Sequence, residues 1–175
     1  MTSFQNRILS AAKLNADLYE EVEKDRGAMG QALSVVALSS LAAGIGAVGK
    51  AGAAGILVGL IGAFVGWFIW AALTYLIGAK LLPEAGTSAD MGQLLRTIGF
   101  SSSPGLIRIF GIIPGLTEIV FFVSSVWMFA AMVVGVRQAL DYASTLRAFG
   151  VCLLGWLIQV LILAAAFSLM GRPAL

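Results

Sequence analysis

The sequence predicts an all-α, polytopic integral membrane protein, with five transmembrane helices behind a short amphipathic cytoplasmic segment. Three observations predict it. The 175-residue chain is 59% hydrophobic and only 11% charged, whereas soluble domains run at about 45–50% apolar and about 25% charged. Its mean hydropathy is +0.96. The few charges are also bunched, leaving 23 uncharged residues between Arg26 and Lys50 and 29 between Lys50 and Lys80. Two further uncharged runs of 18 and 24 residues lie between Glu118 and Arg137 and between Arg147 and Arg172. A helix needs roughly 20 mostly apolar residues to cross a hydrocarbon layer, so each run is long enough to span.

Residues 1–28 read as a cytoplasmic lead-in. Phe4, Ile8 and Ala12 share one face of a short helix at spacings of four. A second helix begins after Asn15, a good N-cap. Asp17, Glu20 and Glu21 fall in its early turns and Lys24 and Arg26 near its end, as the helix dipole favours. Leu18, Tyr19 and Val22 form its apolar face. The segment lies in the headgroup region, folds back on its own bundle, or docks a cytosolic protein through Asp17, Leu18, Tyr19 and Val22. Its acids make it a poor polybasic lipid sensor, and it lacks the apolar run of a signal peptide.

Residues 29–175 read as one transmembrane bundle, with spans near 29–49, 56–78, 100–115, 116–138 and 148–170. The third is the least regular. Met91–Gly115 contains Arg96, Arg108, Pro104 and Pro114. A central arginine costs about 2.5–3.5 kcal/mol to insert, and the apolar residues of Leu106–Ile113 together return about 3 kcal/mol. Insertion is near break-even. The pattern suggests an interfacial helix over Met91–Ile98, a break at Ser101–Pro104, and a short span ending at Pro114-Gly115. With either four or five spans, eight basic residues fall inside and three outside. The positive-inside rule therefore places the N-terminus in the cytoplasm and leaves the C-terminus open.

Catalytic chemistry has little to work with. The chain has no histidine and one cysteine, Cys152, which removes the commonest general base, the usual zinc ligand and any intrachain disulfide. No phosphate-cradling glycine loop is present, and no basic face suits nucleic acid. The residues therefore predict a non-enzyme with no metal and no required cofactor. Gly55, Gly59, Gly62 and Gly66 instead line one face of the second span, where small residues allow close helix packing. Ser39/Ala43 and Ser40/Gly44 offer matching small pairs in the first span. Such a face packs within the chain, forms a homo-oligomer, or seats a lipid, isoprenoid or pigment. Trp67, Trp70, Trp127 and Trp156 lie toward the middle of their spans rather than at the interfaces where tryptophan concentrates. They fill the core, face lipid or contact another subunit. Arg108 and Glu118 flank the Pro114-Gly115 turn and are expected to form an intramembrane ion pair, which pins two helices or marks a transport path.

Several elements, in order, resemble the Yip family, the Ypt-interacting-protein membrane domain, in its short prokaryotic form. They are Leu14-Asn15-Ala16 through Tyr19-Glu20-Glu21-Val22 and Asp25, the Gly99-Phe100 to Pro104 break, the run from Trp127 to Gly135-Val136-Arg137, and Ser144 with Arg147-Ala148. The resemblance covers roughly residues 4–168. It implies five helices with a cytoplasmic N-terminus, hence an external C-terminus, in a bacterial inner membrane. Eukaryotic relatives bind Rab-type GTPases through an Asp-Leu-Tyr-Gly-Pro type motif. Asp17-Leu18-Tyr19 matches its first three residues, and Glu20-Glu21 stands where Gly-Pro would be. The resulting expectation is a non-catalytic scaffold or accessory subunit that binds lipid and other membrane proteins. The alternatives are a small permease or channel using Arg108 and Glu118, and small-GTPase recruitment.

Overall fold

A computed structural model describes residues 3–170, and among these there are helices and no strands. The lead-in forms α1 (Phe4–Ala12) and α2 (Ala16–Lys24). Asn15 caps α2 as expected, its Oδ1 accepting from the amides of Asp17 at 2.8 Å and Leu18 at 3.3 Å. Leu14, with φ of 60°, turns the chain between the two helices. After a single 3₁₀ turn come α3 (Met29–Gly46) and α4 (Val48–Thr74), the latter running into a π-helical stretch over Tyr75–Leu81. Gly52, with φ of 66°, kinks the start of α4. α5 (Met91–Phe100) opens on a capping box made by Asp90 and Gln93 and leads into a 3₁₀ helix over Ser103–Ile112. α6 (Thr117–Ala139) and α7 (Thr145–Met170) complete the bundle. Residues 171–175 lie outside the described residues, and with them Arg172 of the charge count and the end of the expected 29–175 bundle.

Among the described residues four helices, not five, are long and apolar enough to cross a membrane: Arg26–Gly46, Gly55–Leu81, Thr117–Ala139 and Thr145–Ile162. The expected span at 100–115 is corrected. Its first residue ends α5 and Ser103–Ile112 form a ten-residue 3₁₀ helix, about 20 Å long at 2.0 Å per residue. Pro104 has no amide hydrogen to continue an α-helix, and the serines beside it bond carbonyls instead. Ser101 Oγ donates to Thr97 O and Ala131 O at 2.9 and 3.2 Å, and Ser103 Oγ to Phe100 O at 2.7 Å. Met91–Ile98 forms most of α5, which buries Leu94, Arg96, Thr97, Ile98, Gly99 and Phe100 against the rest of the bundle.

The broken segment still carries the chain from one end of the bundle to the other. Its start meets α2, where Gln93 Nε2 donates to Glu23 Oε1 at 2.9 Å. Its end meets the start of α6, where Thr117 Oγ1 donates to Gly111 O at 2.7 Å. Close approach along the way depends on glycine. A Cβ at Gly105 would collide with Ser39 Oγ, and one at Gly46 with the carbonyl oxygen of Arg108.

Two apolar clusters result. One gathers Ala71, Ile77, Leu94, Ile98, Val136, Leu140 and Val151 from α4 through α7. The other joins the lead-in to the bundle through Ala11, Leu18, Tyr19, Val22, Ala32, Val35 and Phe100.

Gly46→Ala is expected to destabilise the protein by about 1–3 kcal/mol through overpacking against the Arg108 carbonyl. Gly59→Ala, where an added Cβ meets nothing within 4 Å, should be neutral or stabilising, because alanine is the better helix former. Thermal unfolding of both variants in one detergent checks the contrast.

Candidate functional site

Two features concentrate chemistry: the docked lead-in and a cavity beside α4. The lead-in is latched by two buried arginines. Arg7 donates to Glu21 Oε1 at 2.7 Å, Asp25 Oδ2 at 2.8 Å and Gln31 Oε1 at 2.9 Å. Arg96, from α5, donates through Nε to Val22 O at 2.9 Å and through Nη2 to Glu23 O. These carbonyls close the C-terminal turn of α2, where a cation also complements the helix dipole. Tyr19 inserts against Gly135, where an added Cβ would crowd Ser101 Oγ and the Tyr19 ring, and its hydroxyl donates to Ala11 O at 3.1 Å. Burial pushes that phenol above its ordinary range.

Glu23 sits at the seam of α2 and α5 and is 3% exposed. One carboxylate oxygen accepts from Gln93, and the other is buried without a hydrogen-bond partner. Burial, with Glu20 and Asp141 nearby, pushes its carboxyl up to about 7, against the opposing pull of Lys24 and Arg96. Asp25 moves the other way, held below the usual carboxylate range by the hydrogen bond from Arg7.

The cavity has a volume of about 610 Å³ and lies between α3, α4, α6 and α7. Gly55, Gly59, Gly62 and Gly66 form its α4 wall, with Trp67 and Trp70 beyond them. Facing them are Ser39, Ser40, Ala43 and Gly44 of α3, Ser125, Met128, Phe129 and Met132 of α6, and Trp156 and Gln159 of α7. The glycines thus front open space, and an added Cβ would meet nothing within 4 Å at Gly59 or Gly62. Gly44 is the close-approach position, packing on Ile56.

Arg108 lines the same cavity from the 3₁₀ helix. Its Nε donates to Ser124 Oγ at 2.7 Å and its Nη2 to Ser125 Oγ at 3.0 Å, and the guanidinium lies 5.3 Å from the Phe121 ring centre. These described contacts of Arg108 do not include Glu118, which opens the first turn of α6.

The other sequence-predicted residues separate. Trp67 donates to Leu95 O at 3.0 Å, fastening α4 to α5. Trp127 is not in the cavity and donates to Ala12 O at 2.7 Å, fastening α6 to α1. Of the expected docking set, Leu18, Tyr19 and Val22 are buried in the molecule and Asp17 is exposed.

Sequence reasoning missed Arg96, Glu23, Gln159 and Tyr142. Gln159 carried a signal as a lone amide in an uncharged run, since polar groups there need partners. Tyr142, whose hydroxyl donates to Gly78 O at 2.8 Å and Leu82 O at 2.7 Å, had none, because its partners lie some sixty positions away.

Compared with known proteins, residues 16–171 match the family described as the Yip1 domain. No curated protein and no solved structure matches.

Glu23 makes stability pH-dependent. Its folded-state pKa is about 7 against an ordinary 4.5, so the folded protein binds more protons than the unfolded chain between those values. Stability therefore falls as pH rises from about 4.5 to about 7, by at most about 1.4 kcal/mol per pH unit. Glu23→Gln is expected to flatten the thermal midpoint over that window, measured in detergent at half-unit steps.

Proposed function

The chain belongs to the Yip1 domain family, and on that premise we propose that it is a non-catalytic integral membrane protein, a scaffold or accessory subunit of a larger membrane assembly. One observation carries this reading. Only 6% of the apolar α4 window is buried inside the molecule, against 33%, 28% and 22% for the other three long helices. Leu57, Val58, Ile61, Val65 and Phe68 of α4 are all exposed. On a helical projection they point away from the glycine wall, Leu57, Ile61 and Phe68 farthest and Val58 and Val65 to its side. An apolar face this large fits lipid or another membrane-embedded chain, since exposed apolar patches of several hundred Å² mark interaction surfaces.

The disposition in the membrane follows from the distribution of charge. The end of the bundle near Glu23 carries Arg7, Lys24, Lys80, Arg96, Arg137 and Arg147, whereas Arg108 belongs to the end near Gly46. Cytoplasmic ends are enriched in basic residues, so the N-terminus lies in the cytoplasm. α7 leads the C-terminus to the opposite side. The resemblance to short prokaryotic members supports a bacterial inner membrane as its location.

Recruitment of a small GTPase through Leu18, Tyr19 and Val22 is disfavoured, because those side chains would have to leave the core first. The permease alternative keeps Arg108 and Glu118 as its residues.

Purification in mild detergent is expected to yield a stoichiometric membrane partner, lost when Val58, Ile61 and Phe68 are replaced together by alanine. Proteoliposomes of the pure protein should show no solute flux. Flux that disappears with Glu118→Gln would establish the permease instead.

A further inference from the structure

We propose that the cavity beside α4 holds one anionic lipid, with its phosphate at Arg108 and an apolar chain laid along the glycines toward Trp67 and Trp70. The proposal rests only on the membrane-embedded part of the reading above, and not on the scaffold role.

The cavity is polarised along its length. Position along the helices puts Arg108, Ser125, Ala47 and Gly55 at one end. It puts Trp67, Trp70, Ile98, Met132 and Val36 at the other. From Gly55 to Trp70 the α4 wall rises about 22 Å. An amphiphile has this shape and this polarity.

Charge then selects the headgroup. Among the described residues lining the cavity Arg108 is the sole charged one, and no described carboxylate joins it there. Its described partners are the neutral hydroxyls of Ser124 and Ser125 and the Phe121 ring. A guanidinium within an apolar bundle is costly without a counter-charge, and phosphate is the anion its planar fork fits. Basic pockets between transmembrane helices bind anionic headgroups for this reason.

Size argues for a lipid chain over a second copy of the protein. A volume of about 610 Å³ falls within the range of small-molecule sites, about 300–1,000 Å³. A helix about 10–12 Å across would fill it in about one to one and a half turns, too short for a stable helix–helix contact. The walls suit a chain: small at the glycines, aromatic at Trp67, Trp70 and Trp156, and adaptable at Met128 and Met132. Trp70 and Gln159, both on the lining, also carry buried polar atoms without partners, Nε1 and Oε1 respectively.

The test is native mass spectrometry of the full chain in mild detergent, titrated in parallel with phosphatidylglycerol, phosphatidylcholine and free glycerol phosphate. One phosphatidylglycerol per chain should be retained about tenfold more strongly than phosphatidylcholine, because the choline cation cancels the phosphate charge that Arg108 meets and repels the guanidinium. Free glycerol phosphate should not compete, because the chain contributes most of the binding. Arg108→Gln should lower phosphatidylglycerol retention to the phosphatidylcholine level, with Arg108→Lys keeping part of it. Gly62→Leu should abolish retention of both lipids, since the added side chain enters the open cavity. Equal retention of the two lipids by the unmodified protein would overturn the proposal without reference to any variant. So would competition by glycerol phosphate, unchanged retention in Gly62→Leu, or a dimer mass that Gly62→Leu removes. Failure of the protein to partition into membranes would instead sink the membrane reading itself, which separates the two outcomes.

Discussion

A backbone that stops being α-helical inside an apolar bundle must find new partners for the groups it frees, and the break after Phe100 sets this constraint for the whole molecule. Its solution draws in every neighbour. Ser101 bonds the Ala131 carbonyl of α6, and Ser103 bonds back to Phe100. The 3₁₀ helix that follows lies against α3, where Gly105 leaves just the space that Ser39 occupies. At its far end Gly111 meets Gly46, and Arg108 reaches the serines of α6. Tyr19 enters beside Gly135 on the same face of α6, so the break also provides the socket for the lead-in. A continuous helix would have satisfied its own backbone and left neither the socket nor the close α3 contact.

The lead-in therefore belongs to the bundle rather than hanging from it. Burying an arginine is expensive unless its donors are filled, and the two latching arginines meet this requirement differently. Arg7 fills its donors with the carboxylates of Glu21 and Asp25 and the amide oxygen of Gln31. Arg96 uses main-chain carbonyls at the end of α2, which need donors in any case. The unusual member of the seam is Glu23, because its neighbours Glu20 and Asp141 oppose its ionisation and one of its oxygens has no partner. A carboxyl in that setting makes the joint between lead-in and bundle sensitive to protons near neutrality.

Much of this was legible in the sequence, because long apolar runs and their bounding charges are local signals. The four long helices, the Asn15 cap and the interruption near Pro104 all follow from neighbours in the chain. What was not legible depends on contacts between distant segments. Counting Arg96 and Arg108 as insertion costs was sound for an isolated helix. It overlooked that Arg96 would be used by α2, more than seventy positions away. The glycine stripe shows the opposite failure. Its spacing identified one face of α4 correctly, but small residues permit a close approach without compelling one, and at Gly59 and Gly62 no helix approaches.

That unclosed face explains why α4 is the least buried of the long helices. Helices in lipid gain no hydrophobic drive from packing on each other, so α4 is retained by specific contacts at its two ends. Gly44 against Ile56 holds the beginning, and the Trp67 bond to Leu95, with Tyr142 on Gly78 and Leu82, holds the remainder. Between these attachments Gly59 and Gly62 stand away from the neighbouring helices, and a cavity opens. Larger side chains there would have let α4 fill the gap itself. Glycine keeps the space while preserving the helix, at the cost of weak packing in the second long helix.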